Sequence, residues 1–162
     1  MASTVSNPRD LLALLLGELL HVERRLAGEV LAQLAQSVHD EGLARLLRTH
    51  LDETRSHVQR VETAFRRLEL APSAHACGAF EAAVGQHDEL APSIVEQRLA
   101  DVFHAQAALQ TEHWEIAAYT AVLAFADACG RGDELSGLRD SLADEQRAEA
   151  ALAASIDRIA GV

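Results

Sequence analysis

Glutamate and histidine residues stand at positions where a helical pattern otherwise places apolar side chains. Glu23, for example, lies four residues after Leu19 and three before Leu26, on the face that those leucines define. Each long helix predicted from the sequence carries at least one such acid. The residues singled out are Glu23, Glu53, His57, Glu112, Glu115, Glu145 and Glu149. Carboxylate oxygens with one or two imidazoles suit iron or manganese, so this set predicts a metal site.

These acids are expected to meet at one level of a helical bundle. Glu23 and Glu53 lie 15 residues on either side of Val38, the centre of the first predicted turn, and Glu115 and Glu145 have the same spacing about the second turn. At 1.5 Å of rise per residue, each lies roughly 22 Å from its turn. Buried like charges raise one another's pKa, and burial without counter-charge costs several kcal/mol. A pair of metal cations would supply that counter-charge.

Four long helices are needed to position these side chains. Apolar residues recur at the three- and four-residue spacing of a helical face through most of the chain. The predicted long helices span about residues 7–36, 40–69, 93–128 and 133–160. The intervening stretch, residues 70–92, holds two of the three prolines and a short helix over about 77–90. Two antiparallel hairpins joined by such a crossover indicate an all-α, ferritin-like four-helix bundle, with the whole chain, 1–162, as one domain.

The predicted helix starts rest on capping residues. Asn7 followed by Pro8 is a favourable N-cap and first-turn pair. Ser93 and Glu96 have the spacing of a capping box, which predicts that the third long helix begins at Ser93. Asp133 follows a glycine-containing break and predicts the start of the fourth long helix.

Composition narrows the class of protein. Of 162 residues, 49% are apolar and 4% aromatic, which excludes a disordered chain and disfavours a many-stranded barrel. The formal charge of −11 would repel phosphates and anionic lipids, so neither nucleic acid nor a membrane is expected as a partner. No apolar run approaches the ~18 residues that span a bilayer. Cys77 and Cys129 do not form a disulfide framework, and a cytoplasmic location is expected.

Several segments resemble a known family. They are His50–His57 (HLDETRSH), Cys77, Glu112–Tyr119 (EHWEIAAY) and Leu142–Arg147 (LADEQR). Together they are similar to the YciF-like stress proteins, a ferritin-like family related in fold to rubrerythrin. The resemblance runs from about residue 11 to residue 152, and its most specific part is Glu-His-aromatic-Glu-Ile-Ala-x-Tyr. It implies a homodimeric bundle with a candidate di-metal site and a stress-linked role.

The resemblance also implies ligand positions. By analogy with rubrerythrin-type sites, carboxylate positions are matched by Glu23, Glu53, Glu112, Glu115 and Glu145, and a histidine position is matched by Glu149. His57 lies one residue away from that pattern's second-helix histidine, where this chain has Ser56. Many relatives carry Tyr in place of Leu20 and Glu in place of Asp144. The sequence has no rubredoxin-like Cys-x-x-Cys module, so a peroxide reductase would need an outside electron donor.

Two metal ions are the expected cofactor, with iron first and manganese as the alternative. The expected roles are bridging for Glu53 with Glu145 or Glu115, terminal ligation for Glu23 and Glu112, and completion of the shell for His57 and Glu149. Oxygen or peroxide is the expected small-molecule substrate, with ferrous iron oxidised in a ferroxidase-like or peroxide-scavenging reaction.

A function of another class also fits these patterns. The chain would then be a metal-free, dimeric helical stress or scaffold protein without catalysis, its core acids protonated or hydrogen-bonded. The histidine and tyrosine residues near the acids are compatible with both a metal site and a metal-free scaffold. His50 is expected to be structural rather than ligating, and His113 to point away from Glu112 and Glu115. Tyr119 is expected to serve in packing.

Overall fold

Six α-helices make up most of the computed structural model, which describes residues 4–161. Their bounds are α1 Pro8–Arg25, α2 Leu31–Ser37, α3 Glu41–Arg67, α4 Gly78–Leu90, α5 Gln97–Ala128 and α6 Leu138–Ala160. A π-helical turn, Leu26–Val30, joins α1 directly to α2. Short 3-10 helices, Ala91–Ser93 and Gly132–Leu135, precede α5 and α6.

The first hairpin consists of α1, the π turn and α2, packed against α3. As predicted, the Asn7 side chain caps α1, accepting a bond from the backbone N–H of Asp10, and Pro8 stands in the first turn. The predicted first helix, 7–36, is therefore one rod interrupted only by the π turn.

The turn between α2 and α3 is tied to the second hairpin. Asp101 of α5 accepts backbone N–H bonds from His39 and Asp40, each at 2.8 Å. Asp40 also caps α3 by accepting a bond from the N–H of Leu43. Both of its carboxylate oxygens receive bonds of 2.7 Å from Arg158 of α6. These contacts fix one end of the bundle.

α3 ends in a Schellman motif, two residues before the predicted limit of 69. Leu70 N–H donates to the carbonyl of Phe65 at 2.9 Å and Glu69 N–H to that of Arg66 at 3.0 Å. Glu69 therefore takes a left-handed conformation, with φ of 57°. Its carbonyl accepts a bond of 2.7 Å from Arg9 near the start of α1.

The crossover to α5 runs the length of the bundle and carries α4. It begins beside Arg9 at one end, and α5 starts at the other end, where Asp101 meets the turn. On its way it lies against α1, because His75 N–H donates to the carbonyl of Gly17 at 2.9 Å. A Cβ at Gly17 would come within 2.1 Å of the His75 ring and 2.8 Å of the Ser73 carbonyl oxygen. Glycine is needed there for close approach.

Two predicted helix starts are wrong. α5 begins at Gln97 and not at Ser93, because the carboxylate of Glu96 accepts the N–H groups of Arg98 and Leu99 and so forms the cap. Ser93 instead donates to the carbonyl of Leu90 in the 3-10 turn.

α6 begins at Leu138 and not at Asp133. Residues 132–135 form a 3-10 turn, and both Leu135 and Leu138 are fully buried. The glycine at position 137 has low helix propensity and separates this turn from α6.

The helices pack as a four-membered ring in which α1 contacts α3 and α5, and α6 contacts the same two helices. Two antiparallel hairpins joined by a long crossover with a short helix confirm the all-α, ferritin-like fold. The apolar core is divided. One cluster includes Leu16, Phe65 and Leu138, and the other includes Leu47, Phe80 and Leu152.

Candidate metal centre

Six ionisable side chains lie between the two apolar clusters, contributed by all four long helices. They are Glu23 from α1, His50 and His57 from α3, Glu112 and Glu115 from α5, and Glu145 from α6. Each is at most 3% exposed. We call these six residues the inner cluster. Charged groups are almost never buried to this degree unless they are paired or bind a metal.

The inner cluster divides into two groups whose donor atoms converge. In the first group, ligand atoms of His50, Glu112, Glu115 and Glu145 all lie within 4.8 Å of one another. In the second group, the same holds for Glu23, His57 and Glu145. Glu145 belongs to both groups, so it is the residue that two adjacent ions would share.

The closest approaches involve the two imidazoles. His50 Nε2 lies 3.2 Å from Glu112 Oε1 and 3.4 Å from Glu145 Oε2. His57 Nδ1 lies 2.8 Å from Glu145 Oε1 and 3.6 Å from Glu23 Oε1. These atoms are close to one another, but they are not aligned as hydrogen bonds. Both nitrogens are therefore without a hydrogen-bond partner among the described residues.

Unpartnered atoms are the feature that tests the fit to a metal. Among residues 4–161, eight buried nitrogen and oxygen atoms of the inner cluster have no hydrogen-bond partner: Glu23 Oε2, His50 Nε2, His57 Nδ1, Glu112 Oε2, both carboxylate oxygens of Glu115 and both of Glu145. Leaving a buried polar atom unsatisfied costs about 1–3 kcal/mol, more for a charged one. Oxygen and imidazole donors aimed at common points are the donor set of iron and manganese, so the residues fit such ions.

The electrostatics of the inner cluster follow from burial and mutual proximity. Burial, with the neighbouring Glu145 and Glu23 carboxylates, raises the pKa of Glu115 well above its usual range. Burial likewise raises the pKa of Glu23 and of Glu145.

The pKa values of the two imidazoles are raised as well, but by the neighbouring carboxylates and not by burial. Burial opposes the charged form of His50, but the carboxylates of Glu112 and Glu145 outweigh it and raise its pKa to about 9. His57 is also buried, yet Glu145 and Glu23 raise its pKa to about 10. Two imidazolium ions therefore offset part of the carboxylate charge when no metal is bound.

A second set of contacts orients the inner cluster. His57 Nε2 bonds Asp144 Oδ2 at 3.1 Å, and Arg60 donates to the same oxygen at 2.8 Å. Burial would raise the pKa of Asp144, but Arg60 and Arg147 hold it at about 2. Tyr119, expected mainly to pack, also donates its O–H to Glu23 Oε1.

Two of the residues predicted as ligands lie outside both groups. Glu53 is about one-third exposed and has its nearest inner-cluster contact with His50 Nδ1, at 3.5 Å. Glu149 is also about one-third exposed, and it faces His113 at 3.8 Å. His113, largely exposed, points away from the cluster as expected. Ligation by Glu53 and Glu149 stays a prediction.

His50 is the inner-cluster residue that the sequence does not predict as a ligand, and helix geometry explains the difference. His50 and His57 are seven residues apart, so they lie nearly on one line along α3, whereas Glu53 is rotated by about 60° from His50. The turn between α2 and α3 is centred on His39 rather than Val38. Glu23 lies 16 residues before His39, so the residue of α3 at the same height as Glu23 lies 16 residues after it. That residue is Arg55, midway between Glu53 and His57. The seven-residue histidine spacing was the available signal.

The remaining residues of interest lie away from the inner cluster. Cys77 is buried and Cys129 half-buried, and both thiols are free.

Within residues 4–161, no helix combines the length and hydropathy needed to cross a membrane.

Comparisons with known proteins place the whole fold in one family. The family model described as "Domain of unknown function (DUF892)" matches residues 7–161. Protein YciF of Escherichia coli K12 is 26% identical over 138 residues, covering 85% of this chain and 82% of that protein. YcfI of Rhodopseudomonas palustris has a solved structure with a TM-score of 0.89 at 26% identity, covering 94% and 96% of the two chains. The crystal structure of the E. coli stress protein YciF has a TM-score of 0.90 at 23% identity, covering 97% and 99%.

Proposed function

Because this chain belongs to the YciF-like family (DUF892), we propose that its inner cluster binds two metal ions, iron in the first place, and that it serves in handling oxygen or peroxide under stress. Manganese is the alternative metal. The proposal rests on one observation above the others: eight buried donor atoms in two overlapping groups have no hydrogen-bond partner in the part of the chain that the structure describes.

The charge of the inner cluster supports two ions rather than one. It contains four carboxylates, so full ionisation gives four negative charges. Two divalent cations would neutralise these with both imidazoles in the neutral, ligating form. With a single divalent cation, neutrality would instead require a proton on the histidine of the empty group and another on one carboxylate.

The protein's own residues would bind the ions and restrict their surroundings. Glu145 would be shared, with His50, Glu112 and Glu115 on one side and Glu23 and His57 on the other. Iron, when bound, supplies electrons for the reduction of oxygen or peroxide. The flanking apolar clusters exclude bulk water, and Tyr119 and Asp144 hold the orientation of Glu23 and His57.

Anaerobic titration of the metal-free protein with Fe²⁺ or Mn²⁺ tests this proposal. We expect two ions per chain by isothermal titration calorimetry and elemental analysis. His50→Ala should lose the ion of the first group, His57→Ala the ion of the second, and Glu145→Gln should weaken both. On exposure to air or peroxide, the iron-loaded protein should gain the absorbance of ferric carboxylate sites.

Glu62→Gln provides the matched control. Glu62 is a half-buried glutamate of α3 that pairs with Arg24 outside the inner cluster. It should retain both ions. The proposal fails if wild-type protein binds no stoichiometric metal, or if Glu145→Gln binds as the control does.

A metal-free helical scaffold is the second candidate function. It is favoured by the imidazolium–carboxylate pairing of His50 with Glu112 and of His57 with Glu145, which partly neutralises the cluster without an ion. A scaffold predicts that the melting temperature is unchanged by chelator in protein from iron- and manganese-supplemented cells. A metal protein should instead melt at a lower temperature once chelated, because ligation stabilises the folded state.

A homodimer is the proposed assembly, as the family resemblance implies. Analytical ultracentrifugation of the metal-free and metal-loaded forms should give a dimer mass in both. A monomer in both states would remove the dimer from the proposal and leave the metal centre unaffected.

A further inference from the structure

A deep groove opens between the α1–α2 rod, α4 and α5. Its volume is about 490 Å³, within the range of about 300–1,000 Å³ typical of small-molecule pockets. Its walls are mainly apolar and include Leu31, Phe80, Val84 and Ala107. Trp114, the single tryptophan of the chain, also lines it.

The groove reaches the candidate metal centre at Glu112. Glu112 lines the groove, is only 1% exposed and belongs to the first ligand group. Its Oε1 faces His50 Nε2 at 3.2 Å, while Oε2 has no hydrogen-bond partner. At its Glu112 end, the apolar groove therefore reaches a residue whose buried carboxylate keeps one oxygen able to accept a further hydrogen bond.

Charge decides which polar group can occupy that inner end. Glu115 and Glu145 lie beside Glu112 with a single imidazole, His50, among them. Acidic groups therefore outnumber basic ones in this poorly solvated place, which disfavours a carboxylate or phosphate head. A neutral O–H would instead donate to the free oxygen of Glu112. The fitting occupant has an apolar body and a neutral hydroxyl or hydroperoxyl head.

We propose that the groove binds organic hydroperoxides, with the apolar chain along α4 and the O–O–H group at Glu112. This assignment rests on the proposed function and names its substrate class. Cleavage of the O–O bond takes two electrons, one from each of two ferrous ions, and two protons from solvent. The products are an alcohol, water and two ferric ions, so atoms and charge balance.

Binding can be tested on the metal-free protein, without any turnover. The probe is decan-1-ol, the stable alcohol that corresponds to reduction of decyl hydroperoxide, and decanoate is the charged control of equal chain length. Emission from Trp114 reports occupancy, because it lines the groove. We expect saturable binding of decan-1-ol and at least about tenfold weaker binding of decanoate, since a tenfold ratio corresponds to 1.4 kcal/mol and burying a like charge costs more.

Substitutions in the groove locate the site. Ala107→Phe fills it from α5 and should weaken decan-1-ol binding by about tenfold or more, whereas Ala117→Phe, at an exposed position of the same helix, should not. Ala83→Phe narrows the groove from α4. It takes the place of Ala107→Phe if circular dichroism shows that Ala107→Phe has lost helix content. Glu112→Gln supplies N–H donors and should raise the affinity for decanoate relative to decan-1-ol.

Several outcomes would overturn the assignment. The first is that folded wild-type protein shows no saturable binding of decan-1-ol, and the second is that decanoate binds equally well or more tightly. The third is that Ala107→Phe and Ala117→Phe have equal effects. The fourth is that decan-1-ol binds only after the protein is diluted, which would mean that a second copy of the chain covers the groove. Metal stoichiometry from the same preparations separates the two proposals. Two bound ions without alcohol binding refute the groove assignment alone, whereas alcohol binding without metal removes the proposed function and the hydroperoxide substrate with it.

Discussion

His57 Nε2 lies 3.1 Å from Asp144 Oδ2, which joins a fully buried imidazole of α3 to the residue that precedes Glu145 on α6. The opposite ring nitrogen, Nδ1, points to Glu145 at 2.8 Å. Because Arg60 and Arg147 keep Asp144 ionised, this carboxylate fixes the ring orientation and, in the neutral ring that would bind a metal, keeps the proton on Nε2. Asp144 is thus a positioning residue for His57.

Asp144→Asn is expected to weaken metal binding in the Glu23–His57 group by about 10–100-fold while sparing the His50 group, since outer carboxylates of metal-bound histidines have effects of that size. Calorimetric titration should therefore show two ions with one affinity reduced. Asp140→Asn, at an exposed position of the same helix, is the control. Identical titrations for the two variants would contradict the positioning role.

Glu115→Gln is expected to have opposite effects in the two states of the protein. Both Glu115 oxygens are buried without a partner, so removing the ionisable group should raise the free energy of unfolding of the metal-free protein by about 1 kcal/mol. With saturating Mn²⁺, the variant should instead be less stable than wild type. Urea unfolding with chelator and with Mn²⁺ measures both values, and destabilisation in chelator would contradict the expectation.

The Asp40–Arg158 pair should contribute stability that depends on pH. Arg158 lowers the pKa of Asp40 from 3.8 to about 2. A depressed folded pKa stabilises the protein above the unfolded value, and this contribution is lost as pH falls from about 4 toward 2. Arg158→Gln should lower the free energy of unfolding at pH 7, and lower it less at pH 3.

Arg55→Gln supplies the comparison for this pair. Arg55 and Asp52 also form an ion pair, but both side chains are more than half exposed. Urea unfolding at pH 7 and pH 3 should show little effect of Arg55→Gln at either pH. A constant cost of Arg158→Gln across this range would show that the ion pair is not its source.

Two helix ends with the same hydrogen bonds offer a paired test of backbone strain. α3 and α5 both end in Schellman motifs, with Glu69 at φ of 57° in one and Gly130 at φ of 69° in the other. Glu69→Gly should stabilise the protein by about 0.5–1 kcal/mol, and Gly130→Glu should destabilise it by a similar amount. Thermal unfolding measures both, and shifts of the same sign would contradict this account.

The level of the site residues along the bundle could be predicted from the sequence, because helical rise per residue is constant. Glu23 and Glu145 were placed at one height by counting from the turns, and they share a ligand group with His57 in the structure. Rotation about the helix axis was harder to predict, since one residue changes the direction by about 100°. That difference in direction separates Glu53, predicted as a ligand but one-third exposed, from His50, which lies in the first group.

Helix boundaries show a different limit of the sequence. The predicted start at Asn7 is confirmed because its cap is local: its partner, Asp10, is three residues away. The predicted start at Asp133 is wrong because burial of Leu135 and Leu138 against the rest of the bundle decides the conformation there. Local capping rules contain no information about such tertiary contacts. The crossover could be predicted as a connection, but its docking at Gly17 could not.

The divided apolar core has a consequence for how the protein unfolds. Each half-core is a separate hydrophobic cluster. Most of the seam between them is filled by polar groups that repel one another as well as attract, and Trp114 packs against both clusters. Ions bound at the seam would link α1, α3, α5 and α6 through their ligands, near the middle of each helix. Metal occupancy should therefore govern the cooperativity of unfolding: hydrogen exchange would show the two ends opening independently in the stripped protein and as one unit in the loaded protein.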